Sequence, residues 1–231
     1  MTERGNIIVV SSIDVGIGKT VATGLIARWF KDNSSAAVTM KMVQTGGEGL
    51  STDIMTHRRL ADSVLLEEDA MGLTCPYILK ADCDPYLAAT LDRRVIDPDV
   101  IVAAADELAT TFDHVLIEGT AGLFAPLTDT VCAVDLYAAQ QWPVILVTGP
   151  RPGSINHTLA ALDALTKHGV ALQGMVFNLN GSSEMEPRIV ADTRHLFTKK
   201  LAELECRDRI CDIPDVSCTV SYCVDFSALF A

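Results

Sequence analysis

The stretch from residue 6 to residue 31 constrains this chain most. An apolar run, Ile7-Ile8-Val9-Val10, leads into the small-residue turn Ser12-Ile13-Asp14-Val15-Gly16-Ile17-Gly18-Lys19-Thr20, and Thr20 to Phe30 reads as a helix. Strand, turn and helix in that order, closing on Gly-Lys-Thr, make the phosphate-binding loop pattern, with Ser12 where such a loop opens on glycine. The backbone of Asp14, Val15, Gly16, Ile17 and Gly18 would cradle the β-phosphate, and Lys19 would reach the β/γ oxygens. The Thr20 hydroxyl would sit on Mg²⁺, and the helix N-terminus adds its dipole to the same anion site. A serine at the first position sets a Cβ where the chain turns tightly. The surrounding strand and helix carry the assignment.

The same alternation continues along the chain. Strands are expected at 6–12, 37–43, 113–118, 143–148 and 172–178, with a weaker one at 209–213. Helices are expected at 18–31, 51–60, 84–92, 98–111, 131–141, 154–168 and 186–204. Runs such as Val115-Leu116-Ile117 and Val144-Ile145-Leu146-Val147 are continuous rather than alternating, as in strands buried on both faces. The expected fold is therefore α/β: a three-layer P-loop NTPase type, its mainly parallel central sheet flanked by helices, in one domain over residues 1–231.

Charge and composition exclude several functions. A formal net charge of −12 with no basic stripe argues against a nucleic-acid or anionic-membrane partner. The pairs Arg58-Arg59, Arg93-Arg94 and Lys199-Lys200 read as solvated helix faces. No apolar run approaches the ~18 residues of a membrane span, and Met1-Thr2-Glu3-Arg4 lacks a signal-peptide core, so a cytoplasmic location is expected. The seven cysteines form no C-x-x-C pair. Cys206, Cys211, Cys218 and Cys223 have no zinc spacing, which points to free thiols in a reducing compartment.

In an open parallel sheet, ligands bind at the carboxyl ends of the strands. Lys41 stands near the end of the second strand, where a lone ammonium would be expensive to desolvate without an anionic partner. Ser51-Thr52-Asp53 follows soon after, and Glu118 ends the third strand ahead of the small residues Gly119-Thr120-Ala121-Gly122. Thr20, Asp53 and Glu118 together would suit Mg²⁺, which takes few carboxylates and completes its shell with phosphate oxygens and water.

These segments resemble the dethiobiotin synthetase family. The resemblance rests on D-V-G-I-G-K-T at 14–20, K-M-V-Q-T-G at 41–46, D-P-Y-L-A-A at 84–89 and E-G-T-A-G-L-F-A-P-L at 118–127. It continues through Gly153-Ser154-Ile155-Asn156-His157-Thr158-Leu159, Asn178 at a strand end, and Ile213-Pro214. It implies a homodimeric, Mg²⁺- and ATP-dependent ligase that closes the ureido ring on 7,8-diaminononanoate and CO₂ in biotin synthesis. The route it implies runs through a carbamate and a mixed carbamic-phosphoric anhydride. Lys19 and Lys41 would bracket the γ-phosphate and the carbamate, and Thr45 would hydrogen-bond the carbamate or an amine. Gly153, Ser154, Ile155 and Asn156 open a helix whose N–H groups would take the substrate's far carboxylate across the dimer interface. Asn178 would read adenine.

The chain also departs from the family pattern. Val15-Gly16-Ile17 replaces a Thr-Glu-Val run, Ala121 a glycine, Tyr86 a histidine and Met42 a proline. Leu179 stands where an aspartate is frequent, which leaves the adenine-over-guanine choice open. A partitioning or septum-site ATPase would carry a lysine early in the loop, where this chain has Asp14. A cobyrinate-type amide synthetase needs a glutaminase domain that 231 residues do not accommodate. A nucleotide-binding regulatory domain without chemistry is the remaining alternative, and it has no evident use for Lys41.

Overall fold

Burial on both faces is what makes the strand runs continuous. In the computed structural model, which describes residues 4–215 and 223–230, successive strand residues pack alternately into two cores. Strand β1 (Asn6–Ser12) sends Ile8 and Val10 to one face and Val9 to the other; β3 (His114–Glu118) sends Leu116 to the first and Val115 and Ile117 to the second. Strand β4 (Val144–Thr148) divides in the same way, with Ile145 and Val147 opposite Val144 and Leu146. With β2 (Ala37–Lys41), β5 (Leu172–Asn178) and β6 (Ile210–Ile213) these strands form a six-stranded sheet in the order β2-β3-β1-β4-β5-β6. Every pairing is parallel.

The helices cover both faces. Helix α1 (Lys19–Asp32) lays Ala22, Leu25, Ile26 and Phe30 on one face, joined there by the 3₁₀ turn Ser227–Leu229. Helix α2 (Thr52–Leu60) packs beside α1, and the single turn α3 (Glu67–Ala70) follows it. The other face takes α4 (Pro85–Leu91), α5 (Pro98–Leu108), α6 (Ala133–Ala139), α7 (Ser154–Lys167) and α8 (Pro187–Glu203). Local chemistry sets several starts: Ser51 accepts the Ile54 N–H at 3.2 Å, Asp97 accepts the Asp99 N–H at 3.0 Å, and prolines occupy the first turns of α4, α5 and α8.

Two expectations need correction. Strand β2 stops at Lys41, because the chain then pairs elsewhere: the Gln44 N–H donates to Tyr77 O, and the Leu79 N–H donates back to Gln44 O. Arg58 is not on a solvated face. It is buried and makes a two-pronged pair with Asp69 at 2.9 and 2.7 Å while donating to Thr39 Oγ1 at 2.8 Å. That pair ties α3, a turn too short to show periodicity, to α2, and the bond to Thr39 carries Arg58 on to β2. Among the described residues the cysteines are free; Cys218 lies outside them. No helix of the described residues is long and apolar enough to cross a membrane.

Candidate active site

Register builds the centre of the site. Lys41 and Glu118 are paired residues at the ends of adjacent parallel strands, so their side chains rise side by side. Both are buried, and Lys41 Nζ lies 2.9 Å from Glu118 Oε1 and 2.5 Å from Asp53 Oδ2. Thr20 Oγ1, on the first turn of α1, lies 3.0 Å from Glu118 Oε1 and 3.4 Å from Asp53 Oδ1. Burial pulls the Lys41 ammonium toward neutrality, but Glu118 and Asp53 outweigh it and hold the pKa above the ordinary lysine value. Burial likewise pushes Glu118 up, yet Lys41 and His57 bring it down to about 2. The pair is therefore ionised across the physiological range.

Asp53 is placed by a residue that the sequence reading passed over. Gln44 Oε1 accepts from Ser51 Oγ at 2.8 Å and from the Asp53 N–H at 3.3 Å, which fastens the first turn of α2 to the segment after β2. His57, also unforeseen, is fully buried on α2 with Nε2 at 2.7 Å from Glu118 Oε2. Its signal was available: it sits four residues after Asp53, on the same helix face.

The phosphate loop closes over this centre. Gly18 has φ 96°, a conformation that favours glycine, and a Cβ there would meet Asn178 Nδ2 at 2.2 Å. Asn178 instead donates to Ile17 O at 2.9 Å, so it braces the loop. Lys19 Nζ donates to Ser12 Oγ at 3.0 Å; the serine that replaces glycine thus gives the lysine a resting partner. Burial, then the neighbouring Lys41, lowers the Lys19 pKa to about 8. Arg151, after β4, pairs with Asp14 at 2.7 Å and donates to Val15 O at 3.2 Å. No local pattern announces a contact between residues so far apart in the chain.

A cleft of about 620 Å³ opens on this centre. Val15, Gly16, Gly18, Lys19, Thr20, Lys41, Thr45, Asp53 and Glu118 line it, joined by Gln44 and the unforeseen rim residues Asp82 and Asp84. Asp14 and Ile17 belong to the loop behind it. Gly153, Ser154, Ile155 and Asn156 do not line it; Ser154 is buried and donates its N–H to Arg151 O at 3.1 Å, while Ile155 and Asn156 are exposed. Thr20, Asp53 and Glu118 offer three oxygens that could hold a hard cation. Among the described residues no group of three or more His, Cys, Asp or Glu side chains suits a metal ion by itself, so such a cation would need phosphate oxygens and water. The two lysines and two carboxylates of the centre balance in formal charge.

Residues 6–216 match the family model of an AAA domain. The chain is 40% identical over 198 residues to the ATP-dependent dethiobiotin synthetase of Chlorobaculum tepidum, covering 86% of this chain and 82% of that one. It is 38% identical over 192 residues to a second such synthetase from Pasteurella multocida, covering 83% and 89%. Among solved structures, the Pyrococcus furiosus cell-division ATPase MinD superposes with TM-score 0.51 at 21% identity, over 92% of this chain and 84% of that one. The pNOB8 ParA bound to nonspecific DNA gives TM-score 0.53 at 12% identity, over 89% and 79%. Those two share the fold alone. With its lysine–carboxylate centre beneath a phosphate loop and relatives matched over most of both lengths, this chain belongs to the ATP-dependent dethiobiotin synthetase family.

Proposed function

We propose that this protein closes the ureido ring of dethiobiotin from 7,8-diaminononanoate and CO₂, using ATP with Mg²⁺. The observation that carries the reading is Lys41: a buried ammonium at a strand end, set between two carboxylates and next to the phosphate-loop lysine. Phosphate binding alone is served by the loop and needs no second lysine at that depth. One substrate amine takes up CO₂ to form a carbamate and releases a proton. A carbamate oxygen then attacks the γ-phosphorus, ADP leaves, and the second amine attacks the carbonyl carbon, loses a proton and expels phosphate as the ring closes.

The side chains suit these steps. Lys19 moves from Ser12 Oγ to the β/γ bridge, and Lys41 meets the negative charge that the carbamate and the transferring phosphoryl group share. Thr45, on the cleft wall, hydrogen-bonds the carbamate or an amine. Thr20, Asp53 and Glu118 would hold Mg²⁺, which supplies charge neutralisation on the phosphates. Asn178, whose amide braces the loop from β5, would read the base. The opening of α7 serves the neighbouring subunit of a homodimer. In support of that, Gly153 to Asn156 stand outside their own chain's cleft, and Ile155 and Leu159 leave 38% and 37% of their surfaces exposed beside them.

Purified protein supplied with 7,8-diaminononanoate, bicarbonate and Mg·ATP should yield dethiobiotin, ADP and phosphate in equal amounts. Nucleotide binding without product under those conditions would leave only the regulatory-domain reading.

A further inference from the structure

His57 is a costly residue where it stands. Its ring is wholly buried, and while Nε2 meets Glu118 Oε2 at 2.7 Å, Nδ1 has no hydrogen-bond partner among the described residues. An ionised carboxylate only accepts, so Nε2 carries a proton toward Glu118, while Nδ1 is a polar atom shut away from water with no partner among the described residues. Leucine would fill the space without that penalty. The position is also held firmly: α1 and α2 approach so closely that a Cβ on Gly24 would lie 2.8 Å from Leu60 Cβ and 3.2 Å from His57 Cα. Gly24 is one turn after Thr20, so the same helix contact sets Thr20 and His57 on either side of Glu118.

The consequence lies in how Glu118 is divided. Its Oε2 is taken by His57, while Oε1 faces Thr20 and Lys41. We infer that His57 is a positioning residue that withholds one oxygen of Glu118, so that the carboxylate offers a divalent cation a single oxygen and the site favours Mg²⁺ over larger cations. Mg²⁺ demands near-octahedral coordination, whereas Ca²⁺ accepts a carboxylate through both oxygens in a looser shell. Freeing Oε2 would therefore help Ca²⁺ more than Mg²⁺. This inference rests on the proposed metal role of Glu118, and it goes further by naming the residue that sets the choice of cation.

The test is calorimetric titration of ADP into the full chain without metal, with Mg²⁺ and with Ca²⁺, for the wild type, His57→Leu and His57→Gln. Folding of each variant is checked by circular dichroism. Partners behind a metal ligand typically change metal affinity by about 10–100-fold. In wild type Mg²⁺ should strengthen ADP binding more than Ca²⁺ does. In His57→Leu the ratio of the two enhancements should move toward Ca²⁺ by about tenfold or more. His57→Gln keeps an N–H donor of similar reach and should retain the wild-type ratio, which a purely space-filling role would not require. Should His57→Leu fail to fold, His57→Asn, whose amide stops short of Glu118, gives the same reading. A wild type in which neither cation enhances ADP binding would overturn the metal role and this inference with it. A normal wild-type preference that persists unchanged in a folded Leu or Asn variant would overturn the inference alone.

Discussion

Replacing Lys41 with methionine tests the centre most directly, because its cost can be worked out in advance. The change removes the ammonium and leaves Glu118, 1% exposed, as a buried anion held only by His57 and Thr20. The folded environment lowers the Glu118 pKa from 4.5 to about 2, and Lys41 is its strongest favourable neighbour. At about 1.4 kcal/mol per unit, that depression corresponds to about 3 kcal/mol. The same figure stands at the lower end of the ~3–5 kcal/mol usual when one member of a buried pair is deleted. Asp53 adds little, since its side chain is 23% exposed and water takes over its solvation. Lys41→Met should therefore lose about 3 kcal/mol in urea unfolding at pH 7 without metal, read as a midpoint shift at constant slope. The pH dependence has a definite sign. A carboxylate with a depressed folded pKa stabilises the wild type above its unfolded value of 4.5, and that contribution disappears as the pH falls toward 2. The gap between wild type and variant should therefore narrow below pH 4.5, and Glu118→Gln added to Lys41→Met should recover most of the loss. A deficit under about 1 kcal/mol at pH 7, or one that persists on acidification, would show that the pair does not hold the fold in this way.

Turnover in Lys41→Ala should fall by about 10²–10³-fold if, as proposed, the lost group meets charge that develops during transfer; steady-state kinetics would read this as kcat. Nucleotide-free Lys19 loses its proton near pH 8, so ADP affinity should stay level below that pH and fall by about tenfold per unit above it, while Lys19→Ala should bind weakly with a flat profile. Because the folded chain binds fewer protons than the unfolded one between about 8 and 10.5, wild type should also gain stability over Lys19→Ala across that window. Gly18→Ala places a Cβ 2.2 Å from Asn178 Nδ2 at a φ of 96°, so it should cost about 1–3 kcal/mol in thermal unfolding and weaken nucleotide binding as the brace on Ile17 breaks. Mixing inactive Lys19→Ala and Asn156→Asp chains should restore part of the activity if each site borrows the start of α7 from its partner; no recovery from stable, exchanging chains would refute the shared site.

The sequence by itself determined the layers and the strand ends. Continuous apolar runs can be satisfied only by strands covered on both faces, and the Gly-Lys-Thr turn between strand and helix specifies an anion site at one end of the sheet. From those alone, Lys19, Thr20, Lys41 and Glu118 could be placed at one end of the sheet, with Asp53 on the segment that follows Lys41, because parallel strands present their carboxyl ends on one side. Only the tertiary structure decided who holds whom. That Lys41 and Glu118 are register partners depends on β2 lying beside β3, an ordering that no local propensity encodes. Arg58 is indistinguishable in sequence from its exposed neighbour Arg59; its burial follows from helix rotation and from Asp69, eleven residues on. Arg151 reaches Asp14 across 137 residues, and His57 reaches Glu118 across 61. Hydrophobic period fixes which face a residue occupies, whereas hydrogen bonds and ion pairs depend on distances of an ångström or less, which are set when the layers pack.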